Sequence, residues 1–285
     1  MITAADRLRT LLAKPGIVSM PGCHDALSAK LVEQAGFDTA FMSGFAVSAS
    51  RLGLPDTGLI SYSEMLDQGR SICNAVNIPL FGDGDTGFGN AVNIKRSVDG
   101  YARAGFGCIM LEDQVMPKRC GHTRGKDVVS RQQAYSRIQA AVDARNEGVD
   151  ILIMARTDSR ATHGLDEAIE RANEFVRMGA DITFVEAPES VHEMQIYCDS
   201  VPGYKMANMI EFGKTPILAP RQLEDIGYKI MVYPLSLLSA SIQAMQQTLR
   251  MLKQGKQPDN VLDFEALKAT VGFPEYYDEF DRYDT

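Results

Sequence analysis

Along this chain, short apolar runs alternate with stretches in which apolar residues return every three or four positions. The runs are Gly16–Met20, Thr39–Met42, Pro79–Gly82, Cys108–Leu111, Ile151–Met154, Ile182–Val185, Tyr204–Ala207 and Lys229–Tyr233. The stretches between them include Ala26–Ala35, Ser63–Ala75, Ile94–Ala104, Arg131–Arg145 and Leu165–Met178. Short apolar runs predict buried strands, and a 3.6-residue period predicts amphipathic helices. Gly36, Gly105, Gly179 and Gly227 stand where helices should stop, each just before the next strand. A helix end calls for a left-handed residue, which glycine supplies without steric cost. Strand–helix alternation of this kind builds a parallel sheet. About eight such units in 285 residues suit an α/β fold of the closed (β/α)8, TIM-barrel type better than an open doubly wound sheet. Periodicity alone leaves both open.

No internal repeat, low-complexity stretch or linker divides the sequence. Residues 1–285 therefore read as one barrel domain with a helical extension over residues 235–285. The extension holds a long helical segment, Leu235–Gly255, and a tail, Phe273–Tyr283, whose aromatics alternate with acids. Such a tail reads as a terminal helix that packs on something, for instance a neighbouring subunit.

Charge narrows the partners. The net charge is −8 and the pI is near 5.1, which argues against nucleic acid or an anionic membrane as the main partner. An anionic substrate stays open, because a metal and a few arginines can reverse the sign inside one pocket. No apolar run is long enough to span a bilayer, and Met1–Pro15 lacks the apolar core of a secretory signal. The five cysteines are odd in number, scattered and without a C-x-x-C pair. That usage predicts a reducing, cytoplasmic location.

Chemistry concentrates at the strand ends. In order they carry Ser43, Asp83 with Asp85, Glu112 with Asp113, Arg156 with Asp158, Glu186 and Asn208. In a parallel barrel these ends converge on one mouth, where active sites are built. The bland reading is that Asp and Asn merely start loops and cap helices; it explains one or two of the set better than all of it. Asp56, Asp83, Asp85 and Glu112 make the cluster rich in hard oxygen donors, with no His or Cys ligand pair. Such donors select Mg²⁺ or Mn²⁺ over Zn²⁺, and Mg²⁺ usually takes one or two carboxylates directly and keeps waters. The segment Gly82–Gly87 also matches G-x-G-x-x-G, but carboxylates at positions 83 and 85 would repel a pyrophosphate.

A second constellation is Lys118-Arg119-Cys120-Gly121-His122. Two cations and a histidine beside a thiol should lower its pKa. Gly121 lets the loop approach a ligand closely, and Arg124-Gly125-Lys126 continues the glycine and basic character, as in a loop that closes over an anion. A basic surface loop with an incidental cysteine is the alternative. Cys73 and Cys108 read as core, His24 as a residue near the mouth, and His163 and His192 as surface residues.

Taken together, these segments resemble the isocitrate lyase and phosphoenolpyruvate mutase superfamily over nearly the whole chain. The resemblance rests on S-G-F-A-V-S-A-S at Ser43–Ser50, L-G-L-P-D at Leu52–Asp56, D-G-D-T-G-F-G at Asp83–Gly89 and L-E-D-Q at Leu111–Gln114. It continues through K-R-C-G-H at Lys118–His122, A-R-T-D at Ala155–Asp158, F-V-E-A at Phe184–Ala187 and A-N-M-I-E-F-G-K-T-P at Ala207–Pro216. K-R-C-G-H is similar to the carbon–carbon lyases of the superfamily, in which this cysteine is the acid; the phosphonate-processing branches typically lack it. T-R-G-K, D-G-D and N-M-I-E with G-K-T-P look closer to lyases of 2-alkylmalates such as 2,3-dimethylmalate than to 2-methylisocitrate lyases. Phe45 departs from the glycine usual in the latter and would shrink the room for a second carboxymethyl arm. Pro234 resembles the lyase form, where oxaloacetate hydrolases carry Ser.

The resemblance implies a Mg²⁺-dependent lyase (Mn²⁺ as a substitute) acting on a small di- or tricarboxylate. It implies Asp83 as direct metal ligand, with Asp85, Asp56 and Glu112 holding the ion's waters. Ser43, Gly44 and Phe45 would bind the substrate carboxylate through hydroxyl and backbone N–H groups. Cys120 would protonate the departing carbon. Arg156, with Glu186 and Asn208, would position that fragment, while His122, Lys118 and Arg119 would tune the thiol and bind the same anion; Gly121 and Pro234 complete the pocket. The products would be pyruvate and propionate from 2,3-dimethylmalate, or pyruvate and succinate from 2-methylisocitrate. Oxaloacetate hydrolysis, phosphonopyruvate-type chemistry and a silent barrel are the other readings. A homotetramer with an exchanged C-terminal helix is the family's usual assembly.

Overall fold

The computed structural model of the chain describes residues 2–121 and 125–283. Eight parallel strands close on themselves in sequential order, β1 to β8, with β8 hydrogen-bonded to β1. They are β1 Val18–Cys23, β2 Ala40–Met42, β3 Leu80–Asp83, β4 Cys108–Glu112, β5 Leu152–Thr157, β6 Ile182–Val185, β7 Tyr204–Asn208 and β8 Ile230–Tyr233. The closed order removes the doubly wound alternative. Every apolar run of the sequence contains a strand, shifted or extended by a few residues at its ends.

The helices begin with α1 Ala4–Ala13, α2 Ala26–Gln34 and the short α3 Gly44–Val47, which runs into a π-helical turn at Ser48–Leu52. There follow α4 Tyr62–Ala75, α5 Ala91–Ala104, α6 Arg131–Asn146, α7 Arg160–His163, α8 Leu165–Met178, α9 Val191–Ser200 and α10 Pro220–Ile226. The last three are α11 Ser236–Lys253, α12 Phe264–Val271 and α13 Phe273–Asp281. Gly105, Gly179 and Gly227 cap α5, α8 and α10 at φ of +107°, +104° and +111°, as their placement predicts. The chain divides into two units, one up to Leu237 and one from Leu238 on. The second unit carries most of α11, with α12 and α13. No helix among the described residues is long and apolar enough to cross a membrane.

The sequence gives no hint of a barrel element before β1, yet α1 is one. Thr3 caps it by accepting the Asp6 N–H at 3.1 Å, and Ala5, Leu8, Leu11 and Leu12 form its buried face. These side chains share one packed cluster with Val18, Cys108, Leu152, Ile182 and Ile230, which begin or nearly begin their strands. The helix thus closes the barrel at the end opposite the site. Charged positions hid this period: the apolar stripe is only four residues wide in a segment that also carries Asp6, Arg7 and Arg9.

Two predictions follow from this packing. Leu8 is fully buried, so Leu8→Ala should lower the unfolding free energy by about 2–5 kcal/mol; a urea midpoint equal to wild type would show that α1 does not seal the barrel. Glu167 on α8 is bonded by Arg131 and by Arg171 Nε at 2.7 Å. These bonds, Arg131 first, hold its carboxyl down to about 2, against an ordinary 4.5. A depressed carboxyl adds stability above its unfolded pKa and loses it as pH falls through the folded value. Urea midpoints of wild type should therefore fall more steeply from about pH 5 to about pH 3 than those of Glu167→Gln; parallel curves would overturn that role.

Candidate active site

Alternate residues of a strand face opposite sides of its sheet. Phe41, Phe81, Met110, Met154, Phe184, Met206 and Val232 all belong to the cluster inside the barrel. Two residues further along the same seven strands come Ser43, Asp83, Glu112, Arg156, Glu186, Asn208 and Pro234. They inherit the inward direction and stand at the C-terminal rim. All but Glu112 line one cavity of about 490 Å³, counted to its open mouth. Phe45, Asp56, Lys118, Arg119, Cys120 and Gly121 line the same cavity from the loops. The residues expected to act together are therefore brought together.

One side of the site is a carboxylate cluster. Lys118 Nζ lies 2.7 Å from both Asp56 Oδ1 and Asp85 Oδ1, and all three side chains are buried. Burial pushes the Asp85 carboxyl up to about 7; Lys118 opposes the shift, and Asp83 and Asp56 add to it. Burial disfavours the charge on Lys118, but Asp85, Asp83, Glu112 and Asp56 outweigh it and hold the ammonium firmly protonated. Lys118 thus serves the acids, where the sequence reading had it tuning the thiol. A cation is needed between carboxylates this deeply buried.

A second correction concerns Gly44. Its N–H donates to Asp83 Oδ2 at 3.0 Å rather than facing a ligand. A Cβ at this position would stand 2.7 Å from the same oxygen, so only glycine lets the start of α3 meet Asp83. Ser43 caps α3 and keeps its place on the cavity wall, as does Phe45.

Among the described residues, no three of His, Cys, Asp and Glu converge closely enough to cage a metal ion. The donor chemistry nevertheless fits a hydrated hard cation. Asp83 Oδ1 and Oδ2 each accept one backbone N–H and keep a further lone pair. Asp85 Oδ2 and Glu112 Oε1 are buried and accept no hydrogen bond. An ion of the Mg²⁺ type takes one or two carboxylates directly and offers its waters to the rest.

The opposite side is built on Arg156. Strand register sets Arg156 beside Glu112, with Nε 3.3 Å from Glu112 Oε2. Asp158 takes Nε and Nη2 at 2.8 and 3.1 Å, and Glu186 Oε2 lies 3.0 Å from Nη2. The guanidinium also lies 5.3 Å from the Phe184 ring centre. Burial raises the Glu112 carboxyl well above its ordinary range, with Arg156 and Lys118 opposing. Burial would raise Asp158 too, but Arg156 and Lys126 overrule it and hold that carboxyl well below the usual range. Asn208 Nδ2 reaches both Glu186 oxygens at 3.4 Å, while its buried Oδ1 accepts nothing.

The loop between β4 and α6 brings in Cys120. Its base is a stapled pair: Val115 N–H donates to Asp127 O and Val129 N–H to Asp113 O, each at 2.9 Å. The Gln114 side chain then clasps Arg119, accepting its N–H at 2.9 Å and donating to its carbonyl at 2.8 Å. Cys120 emerges half-buried on the cavity wall. Gly121 lies directly on the Arg156–Glu186 pair: a Cβ there would stand 2.5 Å from Arg156 Nη2 and from Glu186 Cγ. His122 lies outside the described residues.

Sequence reading grouped Asp113 with Glu112, yet they separate. Asp113 has the outward parity and binds Arg171 Nη1 at 2.9 Å, Thr157 Oγ1 at 2.6 Å and the Asp158 N–H at 2.9 Å. It ties β4, β5 and α8 together behind the site. Lys126, read from the sequence as part of a basic loop that closes over an anion, is instead bonded to Asp158 and the Gly121 carbonyl; the bracing role of Gln114 had no signal in the sequence, whereas the parity of Asp113 was a usable one.

Residues 8–253 match the family model described as phosphoenolpyruvate phosphomutase. The chain is 44% identical to 2,3-dimethylmalate lyase of Eubacterium barkeri, over 98% of this chain and 94% of that one. It is 37% identical to 2-methylisocitrate lyase of Halalkalibacterium halodurans, over 98% and 92%. The crystal structure of a 2,3-dimethylmalate lyase, itself a PEP mutase/isocitrate lyase superfamily member, superposes with a TM-score of 0.92 at 32% identity, covering 100% of this chain and 96% of that one. With the closed barrel and this rim of acids, Arg156 and Cys120, the chain belongs to the phosphoenolpyruvate mutase/isocitrate lyase superfamily, as one of its lyases.

Proposed function

We propose that the chain cleaves a 2-alkylmalate, 2,3-dimethylmalate being the model substrate, into pyruvate and propionate, with Cys120 as the acid. The observation that carries this reading is the cavity wall. Besides the acids and Arg156 it is lined by Phe45, Ile210, Pro234 and Leu235. Apolar walls suit alkyl substituents at C2 and C3. Of the three cations described on the wall, Lys118, Arg119 and Arg156, two already face carboxylates, which favours a substrate with fewer carboxylates than 2-methylisocitrate.

The chemistry balances without a co-reactant. The C2 hydroxyl releases its proton to solvent, the C2–C3 pair of electrons passes to C3, and C2 becomes the carbonyl of pyruvate. The fragment at C3 is an enediolate of propionate; the Cys120 thiol gives its proton to that carbon, and the thiolate regains one from solvent. Arg156, aimed by Asp158 and Glu186, sits where that fragment's carboxylate gathers charge. A Mg²⁺ or Mn²⁺ ion, held by Asp83 with Asp85, Asp56 and Glu112 around its waters, would supply Lewis-acid stabilisation of the C2 oxygen. Gly121 leaves the room in which thiol and guanidinium face one substrate.

The test is pyruvate release with Mg²⁺ from 2,3-dimethylmalate, 2-methylisocitrate and oxaloacetate, the last scored for oxalate and acetate. Pyruvate from dimethylmalate is expected, abolished by EDTA and reduced about 10²- to 10⁴-fold in kcat by Cys120→Ala. Pyruvate from 2-methylisocitrate alone would keep the acid and overturn the substrate; oxalate alone would overturn the lyase reading. Gly121→Ala should lower kcat/KM by about tenfold or more, because misplacement near 1 Å is costly in a positioned site. Wild-type kinetics in that variant would show that the close approach at Gly121 is unimportant.

A further inference from the structure

One buried charge beside the site, Lys126, has no place in the chemistry above, and its partner Asp158 enters it only by aiming Arg156. Lys126 and Asp158 are buried side chains, 3% and 0% exposed. Neither lines the cavity, although Cys120, Gly121, Arg156 and Glu186 all do. They are bonded to each other at 3.0 Å, from Lys126 Nζ to Asp158 Oδ1. The same ammonium donates to the Gly121 carbonyl. The same Asp158 oxygen accepts from Arg156 Nη2 at 3.1 Å. A continuous chain of charge-assisted bonds therefore runs from the backbone beside the thiol to the guanidinium.

We propose that Lys126 is a positioning residue that sets where Cys120 stands relative to Arg156, a role that rests on Cys120 being the acid. Gly121 follows Cys120 directly, so fixing the Gly121 carbonyl fixes the peptide unit next to the thiol-bearing residue. Strand β5 offers a rigid reference, because Asp158 is pinned at its N–H by Asp113 Oδ1 at 2.9 Å. The loop's base is stapled at residues 113–115 and 127–129, and the Gln114 side chain grips it at Arg119, before Cys120. Lys126 extends that support past Cys120. A buried ammonium is retained only with partners, and here its partners are the two parts of the site that must keep register.

The experiment compares wild type with Lys126→Met, which shortens no backbone and alters the identity of no cavity-lining residue. Two rates are read: turnover of 2,3-dimethylmalate, and alkylation of Cys120 by iodoacetamide, followed by peptide mass spectrometry without substrate. In Lys126→Met, kcat should fall about tenfold to a hundredfold with KM changed much less. Cys120 alkylation should change about fivefold or more, with Cys73 and Cys198 as internal references. Unchanged alkylation of Cys120 overturns the proposal, whatever happens to kcat, since the thiol would then stand where it stood before. Unchanged kcat with altered alkylation overturns it too, because the placement would not matter to the reaction. If Lys126→Met does not fold, by circular dichroism, Lys126→Gln is read by the same two rates. Should wild type release no pyruvate from 2,3-dimethylmalate, the substrate reading fails separately, and the alkylation rates still decide whether Lys126 places Cys120.

Discussion

Burying Asp56, Asp83, Asp85, Glu112, Asp158 and Glu186 around one barrel mouth is sustainable only because Lys118, Lys126 and Arg156 lie between them. An isolated buried carboxylate either finds a cation or takes up a proton. Two of these cations touch carboxylates from different parts of the chain: Lys118 joins the segments around Asp56 and Asp85, and Arg156 joins β4, β5 and the end of β6. The ion pairs therefore hold the rim elements in register as well as neutralising charge. Removing one partner would leave the other buried and uncompensated, which is the expensive case.

The same constraint explains the glycines that matter here. A charged group that must be enclosed needs backbone brought within van der Waals distance of it. Gly44 does this against Asp83, and Gly121 does it against Arg156 and Glu186. Backbone N–H and C=O groups then become partners of the buried charges, as with the Gly44 N–H on Asp83 and the Gly121 carbonyl on Lys126. The cavity is not polar throughout: Phe45, Ile210, Pro234 and Leu235 line it without charge.

Much of this was legible in the residues. Strand–helix alternation pointed to eight units, and the polar strand ends pointed to one mouth. Period-two alternation carried the assignment further than was used: Ser43, Asp83, Glu112, Arg156, Glu186 and Asn208 all lie two residues beyond an inward apolar position. Asp113 lies one residue off that parity and turns out to brace β4 and β5 from behind. Helix α1 was missed because its narrow apolar stripe is interrupted by charge.

What the sequence determined by itself is the local inventory: which segments are strands, which residues end them, and which residue types are available as metal donors, acid and anion binders. Periodicity and residue chemistry are local properties, so a linear reading can recover them. Tertiary structure alone decided the pairings. Lys118 is close in sequence to Cys120 yet is committed to Asp56 and Asp85; the Gly44 N–H serves Asp83 rather than a substrate; and Lys126 bridges Gly121 to Asp158, 32 residues away. Which buried charge meets which partner depends on distances set by barrel closure and loop path, and those come into being only when all eight strands are in register.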